Sequence, residues 1–538
     1  MGVYLNSPSA YTLYKNETEK PYFVDKSLML KELFPLVREG NNHICITRPR
    51  RFGKTVIANM IASFFSRGCN SNDIFQSLNI SKDPEYKRYQ NQFPVIHISL
   101  NELPRKCSSY EEYIDRIEKR LIRDLQREYP DIPVDKEEAV WDVLTDIYTV
   151  DTTARFVFVL DEWDFIFHQS FITEADEKAY LSFLRNMLKD QPYVLFTYMT
   201  GILPIAKYSS GSELNMFIEF TMVTEERFSE DFGFTEKEVD MLYERYLLRN
   251  EDHRINREGL RDWYNGYHTF SGERVYNPRS VVWALENNNL GNYWSSSGPY
   301  DEIFYYVKHN ISAVQKDLLL MISGGAVPVK IREYAATATE LKSKSEIFSA
   351  MGVYGFLSYE NGQVTIPNRE LMGKFDDMIR TEDSLGYVYR LAKESERMLQ
   401  VTLKGDTDIM EEILELVHDT EIPLLSYNNE TELTSVVNLA YLAARDTYRV
   451  EREDKAGVGY VDFIFYPEIN TSSDCMILEL KMDSTPEDAI EQIKDKKYAL
   501  RFKPKSGEKP RYTGRILAVG ISYDRKSKVH HCKIEELK

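Results

Sequence analysis

Gly53, Lys54 and Thr55 lie at the junction between two stretches with different sequence patterns. His43 to Thr47, just before them, form a short apolar run typical of a buried strand. After them, apolar side chains recur at helical spacing: Val56, Ile57, Met60, Ile61, Phe64 and Phe65. A helix that begins at such a junction offers unpaired backbone N–H groups and the positive end of its dipole. This context is typical of a loop that binds the phosphates of a nucleotide.

The residue types in this loop suit that chemistry. Gly53 lets the backbone approach the phosphates closely. Lys54 is expected to reach the β- and γ-phosphates, and the hydroxyl of Thr55 is the expected ligand of Mg²⁺. Because a bare Gly-Lys-Thr also occurs by chance, an ordinary loop without a ligand is the alternative.

The usual pattern G-x-x-x-x-G-K-[ST] is broken at its first position, which Arg48 occupies. A side chain there resists positive φ at a cost of about 1 kcal/mol or more. Pro49 also favours extended backbone at the residue before it. We therefore expect the chain to enter this loop along a different path, which would bring Arg50 or Arg51 near the phosphates.

Two acids follow the apolar run FVFVLDEWDFIF, which is typical of a buried strand. In a phosphate-transfer site, Asp161 at the end of this strand would hold Mg²⁺. Glu162 would orient and deprotonate the attacking water. The alternative is a strand followed by an acidic cap, but the phosphate-loop pattern roughly 110 residues upstream favours the catalytic interpretation.

A further strand is predicted over YVLFTYMTG, which ends at Gly201. Thr197 or Thr200 is placed where a residue that senses the γ-phosphate would lie, or where it would simply cap the following turn. Strands and helices alternate from residue 43 to residue 201, which predicts a mostly parallel sheet with helices on both faces. Ligands of such sheets bind beyond the carboxyl ends of the strands. The Gly53-Lys54-Thr55 motif and the Asp161-Glu162 motif both lie there.

A second constellation lies in the apolar runs GVGYVDFIFY and DCMILELKM near the C-terminus. Side chains alternate along a strand, so Glu479 and Lys481 point to one face. If Asp462 lies on a neighbouring strand, two carboxylates and an ammonium converge. Asp462 and Glu479 would then hold Mg²⁺, and Lys481 would position water or stabilise charge on a phosphate. The alternative is a set of ordinary exposed strand charges, since Glu-x-Lys is a common triplet in this chain.

A basic stretch follows this constellation. Between residues 494 and 515 only two acids accompany nine basic residues, namely Lys494, Lys496, Lys497, Arg501, Lys503, Lys505, Lys509, Arg511 and Arg515. A solvated loop and a track for nucleic-acid phosphates both explain such a run. Its position beside the candidate metal site favours the phosphate track.

Composition places the chain among folded proteins of more than one domain. It has 538 residues, of which 43% are hydrophobic, so two or three domains are expected. We predict a nucleotide-binding domain over residues 1–220, a helical aromatic-rich lid or winged-helix-like extension over 221–300, a helical connector over 301–420 and a nuclease-like domain over 421–538. Aromatic residues in the second of these segments are interpreted as core.

Charge and cysteine content restrict the function. A formal net charge of −18 argues against a protein that coats nucleic acid by bulk electrostatics, so any such contact needs a local basic face. The five cysteines are scattered, and neither a disulfide framework nor a zinc site is indicated. No apolar run approaches the roughly 18 to 20 residues of a membrane span, and the first residues do not resemble a signal peptide. A cytoplasmic protein is expected.

Seven short segments together resemble a known family: YFVDKS, RPRRFGKT, VLDEWD, MTGI, WYNGY, VYNPRS and NYW. The chain resembles the bacterial AAA-ATPase-like proteins that carry a PD-(D/E)XK nuclease-superfamily domain at the C-terminus. The resemblance covers nearly the whole chain and is most specific over residues 20–300. In that family a phosphate loop rich in arginine and without the first glycine is usual. The superfamily layout D…E-x-K…Q also implies that Gln492, on the next helix, and Glu432, on the preceding one, belong to the second site.

These observations predict an α/β protein whose N-terminal domain binds and hydrolyses ATP with Mg²⁺. That domain would control a metal-dependent nuclease-like domain acting on DNA or RNA. The alternative is a nucleotide-gated switch or scaffold whose C-terminal domain is a degenerate binding module. The sequence leaves open the kind of nucleic acid, the oligomeric state and whether a neighbouring subunit supplies an arginine.

Overall fold

The computed structural model describes residues 2–135, 138–205, 213–222, 227–294, 311–322, 324–330, 343–381, 387–416, 430–456, 459–468, 470–502 and 512–537. The chain divides into two compact units. The first consists of Met1–Pro299 together with Pro328–Leu371, and the second of Tyr300–Val327 together with Met372–Lys538. Each unit has a central five-stranded sheet.

The N-terminal part of the first unit alternates between helices and strands. Its elements are α1 (Pro8–Thr18), α2 (Met29–Glu39), β1 (Asn42–Thr47), α3 (Lys54–Phe65), α4 (Asn72–Phe75), α5 (Tyr86–Tyr89), β2 (Val95–Ser99), α6 (Tyr110–Glu128), α7 (Val140–Val150), β3 (Phe156–Asp161), α8 (Glu174–Leu188), β4 (Val194–Gly201) and β5 (Phe217–Phe220).

These five strands form a parallel sheet in the order β2-β3-β4-β1-β5. Every residue of β3 and of β4 is buried, because α3 covers one face of the sheet and α6, α7 and α8 cover the other. The continuous apolar runs in the sequence follow from this double coverage. The predicted parallel sheet with helices on both faces is confirmed.

The next part of the first unit is helical, with a short β-hairpin. Its elements are α9 (Glu236–Arg249), α10 (Arg257–Tyr264), β6 (Tyr267–His268), β7 (Arg274–Val275) and α11 (Pro278–Asn287). Its tyrosines form a small core, as the aromatic pattern predicted: Tyr246, Tyr264 and Tyr276 are fully buried in it.

The middle of the chain is also mainly helical, as predicted. It contains α12 (Ile311–Ile322), β8 (Val327–Pro328), α13 (Lys344–Tyr354), β9 (Ser358–Glu360), β10 (Gln363–Thr365), α14 (Arg369–Thr381), α15 (Tyr387–Lys404) and α16 (Thr407–Glu415). Strands β9 and β10 form an antiparallel hairpin. Helix α14 begins in the first unit and continues into the second after Leu371.

The C-terminal part contains α17 (Glu430–Ala440), β11 (Tyr448–Ala456), β12 (Gly459–Pro467), β13 (Cys475–Met482), α18 (Pro486–Asp495), β14 (Ile516–Asp524) and β15 (Val529–Leu537). The sheet order is β11-β12-β13-β14-β15. Only β13 and β14 run parallel, and α18 connects them and packs against both. The other neighbours are antiparallel. This mixed sheet with its crossover helix confirms the predicted α/β C-terminal fold.

None of the helices in the part of the chain that the structure describes combines the length and the apolar character that a bilayer span requires.

Candidate functional site

The phosphate-loop candidate is shaped by Gly53, which is the N-cap residue of α3. Gly53 has φ 87°, and a Cβ at this position would meet no atom within 4 Å. The glycine is therefore needed for its left-handed backbone and not for space. No side chain caps the N-terminus of α3, so the N–H groups of its first turn are available to an anionic ligand.

Lys54 folds back over this loop. Its Nζ donates to the carbonyl oxygens of Arg48, at 2.8 Å, and Pro49, at 2.9 Å, and its side chain is buried. Burial lowers the pKa of Lys54 to about 8, while the negative charges of Asp164, Asp161 and Glu162 oppose this shift. Lys54 and the acidic end of β3 therefore lie close enough to interact, at one edge of the sheet.

Arg48, which occupies the place of the first loop glycine, turns its side chain into the protein. Only 1% of it is exposed, and its guanidinium donates to the carbonyl oxygens of Thr47, Phe220 and Phe228 at 2.7 to 3.2 Å. The guanidinium also lies 5.1 Å from the centre of the Phe232 ring. Burial lowers the pKa of Arg48 to about 10. The loop entrance is therefore fixed by a buried side chain where other phosphate loops use a glycine.

The remaining candidate residues of the loop differ in their surroundings. Arg51 has φ 69°, and its Nη1 donates to the carbonyl oxygen of Tyr293. Arg50 is half-buried, and its positive charge contributes to the lowered pKa of Lys54. Thr55 is exposed on the first turn of α3.

Asp161 and Thr200 end adjacent strands. The Thr200 hydroxyl donates to Asp161 Oδ1, and both side chains are almost completely buried. Thr200 Oγ1 also accepts the backbone N–H of Glu162 at 3.3 Å. Thr200 therefore orients Asp161, the last residue of β3, and Glu162, which follows it. Carboxylate and hydroxyl oxygens are the ligands that Mg²⁺ prefers, so Asp161 and Thr55 fit such an ion by chemistry.

Glu162 has a left-handed backbone, with φ 55°. Its Oε2 accepts a hydrogen bond from Asn101 Nδ2 at 2.8 Å. Burial, followed by the charge of Asp161, raises the pKa of Glu162, while the hydrogen bond from Asn101 lowers it. Asn101 was missed by sequence reasoning, although it lies two residues beyond the end of β2, at the same edge of the sheet as the loop.

Asp164 was also missed. It is 3% exposed, and its Oδ2 accepts the backbone N–H groups of Ile202, at 2.9 Å, and Leu203, at 2.7 Å. Asp164 therefore fixes the backbone that follows β4. Of the negative charges that raise the pKa of Lys54 against the effect of burial, that of Asp164 has the largest effect. The only signal in the sequence was a third acid three residues after Asp161.

The second site begins where the pairing of β12 with β13 ends. The last pair of this ladder is Phe463 with Leu478. At the preceding residue of β12, the side chain of Asp462 makes the contact with β13 in place of the backbone. Asp462 Oδ2 accepts the backbone N–H of Leu480 at 2.7 Å. A carboxylate is thereby fixed beside Glu479 on the neighbouring strand.

Glu479, Lys481 and Gln492 form one hydrogen-bonded group. Lys481 Nζ lies 2.6 Å from Gln492 Oε1 and 3.4 Å from Glu479 Oε1, and Gln492 Nε2 donates to Glu479 Oε1. Burial, followed by the charge of Asp462, raises the pKa of Glu479 to about 8. The structure thus brings together all four residues that the sequence placed at this site.

A divalent cation fits these residues. Glu479 Oε2 is buried and has no hydrogen-bond partner in the described part of the chain. An unsatisfied carboxylate oxygen beside a second carboxylate is costly without a cation or a proton. The described residues contain no cluster of three or more His, Cys, Asp or Glu side chains that could hold a metal. Mg²⁺ needs only one or two carboxylates, since water and substrate phosphates complete its shell.

Gly520 sets the distance between α18 and the sheet. It lies opposite Glu479 in the ladder of β13 and β14. A Cβ on Gly520 would lie 2.3 Å from the Pro486 carbonyl oxygen and 3.1 Å from Ala489 Cβ. The missing side chain lets α18 lie close to the strands, which brings Gln492 to Glu479.

The remaining predicted members of this site are described only in part. The side chain of Glu432 lies outside the described residues, as do Lys503, Lys505, Lys509 and Arg511. Of the described basic residues, Lys494 pairs with Glu535 at 2.5 Å and Arg515 with Asp474 at 2.6 Å.

Comparisons with known proteins identify two regions of the chain. Residues 13–210 match a family described as a predicted AAA-ATPase, and residues 428–532 match the PD-(D/E)XK nuclease superfamily. The chain is also 26% identical over 292 residues to a protein of Azotobacter chroococcum mcd 1, described as an uncharacterized protein in the vnfD 5′ region. That alignment covers 52% of each chain, so this chain spans about half the length of the curated relative it matches.

Two solved structures resemble the chain at 13% identity. The Walker-type ATPase PABY2304 of Pyrococcus abyssi has a TM-score of 0.37, with 65% of this chain and 94% of that chain covered. The ORC2 protein of Aeropyrum pernix in ADPNP–ADP complexes has a TM-score of 0.26, with 77% and 93% covered. The fold and the two family matches lead to one conclusion: the chain joins an AAA-ATPase-like region, residues 13–210, to a C-terminal PD-(D/E)XK nuclease-superfamily region, residues 428–532.

Proposed function

We propose that this protein binds and hydrolyses ATP in its N-terminal domain and thereby controls phosphodiester cleavage of DNA or RNA in its C-terminal domain. The observation that carries the nuclease half is the convergence of Asp462, Glu479, Lys481 and Gln492, with one buried carboxylate oxygen left unsatisfied. The ATPase half is carried by the N-terminus of α3, which no side chain caps, and by Lys54, whose charge interacts with those of the acids at the end of β3.

In the ATPase site, the N–H groups at the start of α3 and the Lys54 ammonium bind the phosphates. A phosphate oxygen competes there with the two loop carbonyls that Lys54 now contacts. Thr55 and Asp161 would hold Mg²⁺, which would neutralise charge on the phosphates. Glu162 orients the attacking water and accepts its proton, and the hydrogen bond from Asn101 restrains this carboxylate.

In the nuclease site, Asp462 and Glu479 would hold a divalent cation, which would polarise the scissile phosphate. Lys481 positions water and stabilises the negative charge that develops on the phosphate oxygens. Gln492 is hydrogen-bonded to both Glu479 and Lys481, so it fixes the positions of these two side chains relative to one another. Cleavage therefore depends on α18 as well as on the two strands.

Control by ATP is supported by the contacts of the phosphate loop within the first unit. A side chain at Gly355 would meet Pro49 Cβ at 2.6 Å, and the ring of Phe52 lies 5.0 Å from that of Tyr267. Arg51 donates to the carbonyl oxygen of Tyr293. Phe52 and Arg51 therefore contact the aromatic-rich part of the unit, and Pro49 contacts Gly355 beyond α13, so a change in the loop on nucleotide binding reaches both parts directly.

Glu370 connects the same part to α14. Its carboxylate accepts the backbone N–H groups of Tyr293 and Trp294, each at 2.7 Å, and the Ser280 hydroxyl at 3.0 Å. Glu370 lies in the first turn of α14, the helix that continues into the second unit. This helix offers a path along the chain by which the nucleotide state is passed on.

The second candidate is a nucleotide-gated switch whose nuclease-like domain binds without cutting. The observation that favours it is the state of Glu479, whose pKa is raised to about 8, and of Lys481, whose ammonium is already engaged by Glu479 and Gln492. A protonated carboxyl is a poor metal ligand. Cation binding has to overcome this before any cleavage occurs.

The test is to incubate the purified full chain with single- and double-stranded DNA and RNA, with Mg²⁺ or Mn²⁺, with and without ATP. Lys481→Ala should abolish cleavage, while Lys533→Ala, which removes a partly exposed, ion-paired lysine, should not. Binding without cleavage in the unaltered protein would instead support the switch.

A separate test concerns ATP binding. Lys54→Ala removes charge-assisted hydrogen bonds worth about 1.5–3 kcal/mol, so ATP affinity should fall about tenfold or more. Unchanged ATP binding would contradict the role given to Lys54.

A further inference from the structure

The phosphate loop contains three arginines, and two of them have defined contacts within the protein. The guanidinium of Arg48 donates to three backbone carbonyl oxygens in the interior, and Nη1 of Arg51 donates to the carbonyl oxygen of Tyr293. Arg50, which lies between them in the chain, is half-buried. In the part of the chain that the structure describes, no hydrogen bond or ion pair engages its side chain. The guanidinium of Arg50 is therefore available to a ligand.

The loop keeps its shape without the side chain of Arg50. Left-handed backbone at Arg51, with φ 69°, and at Gly53, with φ 87°, turns the chain into α3. The backbone N–H of Arg48 donates to the carbonyl oxygen of Gly201 at 3.1 Å, which attaches the entrance of the loop to the end of β4. The backbone of Arg50 thus lies between two fixed segments, and a shorter side chain there removes none of these contacts.

Arg50 adds positive charge to the start of α3. Burial lowers the pKa of Lys54 to about 8, and the positive charge of Arg50 lowers it further, against the charges of the acids near the end of β3. Like charges that lie close together repel, and an anion bound beside both of them removes this cost. The N-terminus of α3, which no side chain caps, provides a third source of positive potential for the same anion.

The acids near the end of β3 indicate which phosphate Arg50 would contact. Glu162 is the proposed base for the attacking water, so the phosphate next to it is the γ-phosphate. The charge of Lys54 interacts both with that of Glu162 and with that of Arg50. The phosphate that Lys54 binds is therefore also close to the base and to the unengaged guanidinium.

We propose that Arg50 contacts the γ-phosphate bound to its own chain and stabilises the charge that develops there during hydrolysis, so that no arginine from a second subunit is required. The inference rests on the proposed ATPase function and adds a catalytic residue to it. As the water oxygen bonds to the γ-phosphorus, the bond to the β–γ bridging oxygen breaks and Glu162 accepts the proton of the water. The planar fork of guanidinium N–H donors suits the oxygens on which negative charge then increases.

The test measures, by calorimetric titration of the full chain, the affinity for ADP alone and for ADP with Mg²⁺ and aluminium fluoride, which imitates the γ-phosphoryl group in the transition state. Arg50→Gln should change the affinity for ADP by less than about twofold, because only interactions made with the reacting group are lost. The affinity for the fluoride complex should fall about 100-fold or more. ATP turnover should fall about 10³-fold or more, the usual effect of losing such an arginine.

Arg67→Gln is the matched control, because Arg67 lies just beyond the C-terminal end of α3 and its guanidinium pairs with Glu128 at 3.2 Å. It should change neither the two affinities nor the turnover. Arg50→Gln should also keep the melting temperature of the unaltered protein, since its side chain has no hydrogen bond or ion pair within the described residues.

A mixing experiment determines which chain supplies the arginine. The Lys54→Ala protein lacks a phosphate ligand but retains Arg50. If Arg50 served a neighbouring chain, mixing this protein with the Arg50→Gln protein would restore turnover. We expect the mixture to hydrolyse ATP no faster than the sum of the separate variants, and restored turnover would overturn the assignment to the same chain.

The outcomes separate this inference from the proposed function. If the unaltered protein does not bind or does not hydrolyse ATP, the proposed ATPase function is wrong. If it does both, but Arg50→Gln binds the fluoride complex as tightly as the unaltered protein, only the role of Arg50 is wrong. Equal losses of affinity for ADP and for the fluoride complex would also overturn that role, because Arg50 would then act on the loop as a whole and not on the γ-phosphate.

Discussion

Arg48 donates a hydrogen bond to the carbonyl oxygen of Phe220 at 2.7 Å, and so joins the start of the phosphate loop to the end of the edge strand β5. Replacement of Arg48 by Met keeps much of the side-chain volume but leaves the buried carbonyls of Phe220 and Phe228 without this donor. Each buried group that loses its partner costs about 1–3 kcal/mol. We expect the unfolding free energy to fall by about 2–4 kcal/mol and ATP affinity to fall with it.

Urea unfolding and calorimetric titration with ATP measure both effects of Arg48→Met. Arg227→Met serves as the control, because Arg227 lies over the Phe228 ring but is partly exposed, and its loss should cost less than about 1 kcal/mol. Equal stabilities of the two variants would show that the buried arginine does not anchor the loop.

Glu162→Gln should separate ATP binding from ATP turnover. Glutamine cannot accept the proton of the attacking water, and loss of a general base costs about 10²- to 10⁴-fold in rate. Binding should persist, since Lys54 and the start of α3 are unchanged. Steady-state phosphate release and ATP titration provide the two readouts. A variant that hydrolyses ATP at the original rate would rule out Glu162 as the base.

Glu370 should make the first unit less stable as pH rises. Burial raises its pKa to about 7, although Ser280, the N–H groups of Tyr293 and Trp294, and the charge of Arg51 favour the ionised form. The unfolded pKa of this acid is near 4.5, below its folded pKa. The free energy of unfolding therefore falls as the pH rises from about 4.5 to about 7, and the loss is complete above the folded pKa. A shift of this size corresponds to about 3 kcal/mol at most.

Glu370→Gln keeps an acceptor for the same N–H groups and removes the titration. We expect a melting temperature that changes less between pH 5 and pH 8 than that of the unaltered protein, with the difference largest at pH 8. Glu273→Gln, at an exposed position in the same unit, should leave the pH dependence as it was. The same slope in all three proteins would contradict the assignment to Glu370.

Gly520→Ala should disturb the nuclease site from a distance. The new Cβ would meet the Pro486 carbonyl oxygen at 2.3 Å, so α18 must move away from the strands. Overpacking of this kind costs about 1–3 kcal/mol, and Gln492 moves away from Glu479 and Lys481 together with the helix. We expect lower stability and a loss of cleavage greater than the loss of nucleic-acid binding.

Gly373→Ala is the matched control for that change. Gly373 lies inside α14, and a Cβ there meets no atom within 4 Å. Alanine is favoured over glycine by about 0.5–1 kcal/mol in a helix, so this variant should be slightly more stable and fully active. Thermal unfolding and cleavage assays of the two variants decide the matter, and a Gly520→Ala protein that behaves like the control would contradict the close approach of α18.

Strands with apolar sequences were readily predicted, whereas the two charged edge strands of the C-terminal sheet were not. The runs that became β3, β4 and β13 are almost entirely apolar, because helices or strands cover them on every side. Strands β11 and β15 are the edges of their sheet and carry many charged residues, so their pattern does not differ from that of a loop. The periodicity of a strand also contains no information on which strand it will neighbour.

The residues of the two sites likewise divide into those that the sequence predicted and those that it did not. Lys54, Asp161, Glu479 and Lys481 stand at the ends of apolar runs, where the pattern itself draws attention to them. Asn101 and Asp164 are single polar residues in loops, and their roles arise only from what the fold places beside them. The sequence showed that Arg48 breaks the glycine pattern, but the carbonyl groups it contacts come from residues 172 and 180 positions away.

The first unit is assembled from two stretches of chain, Met1–Pro299 and Pro328–Leu371, which has a consequence for biosynthesis. During synthesis, the larger stretch cannot complete its core until the smaller one has been made. This requires roughly 70 more residues, or about 4–14 s at 5–20 residues per second. Tyr300–Val327, which belongs to the other unit, emerges during this interval. A fragment that ends near residue 300 would therefore lack part of the first unit, and we expect it to be less stable than the complete unit.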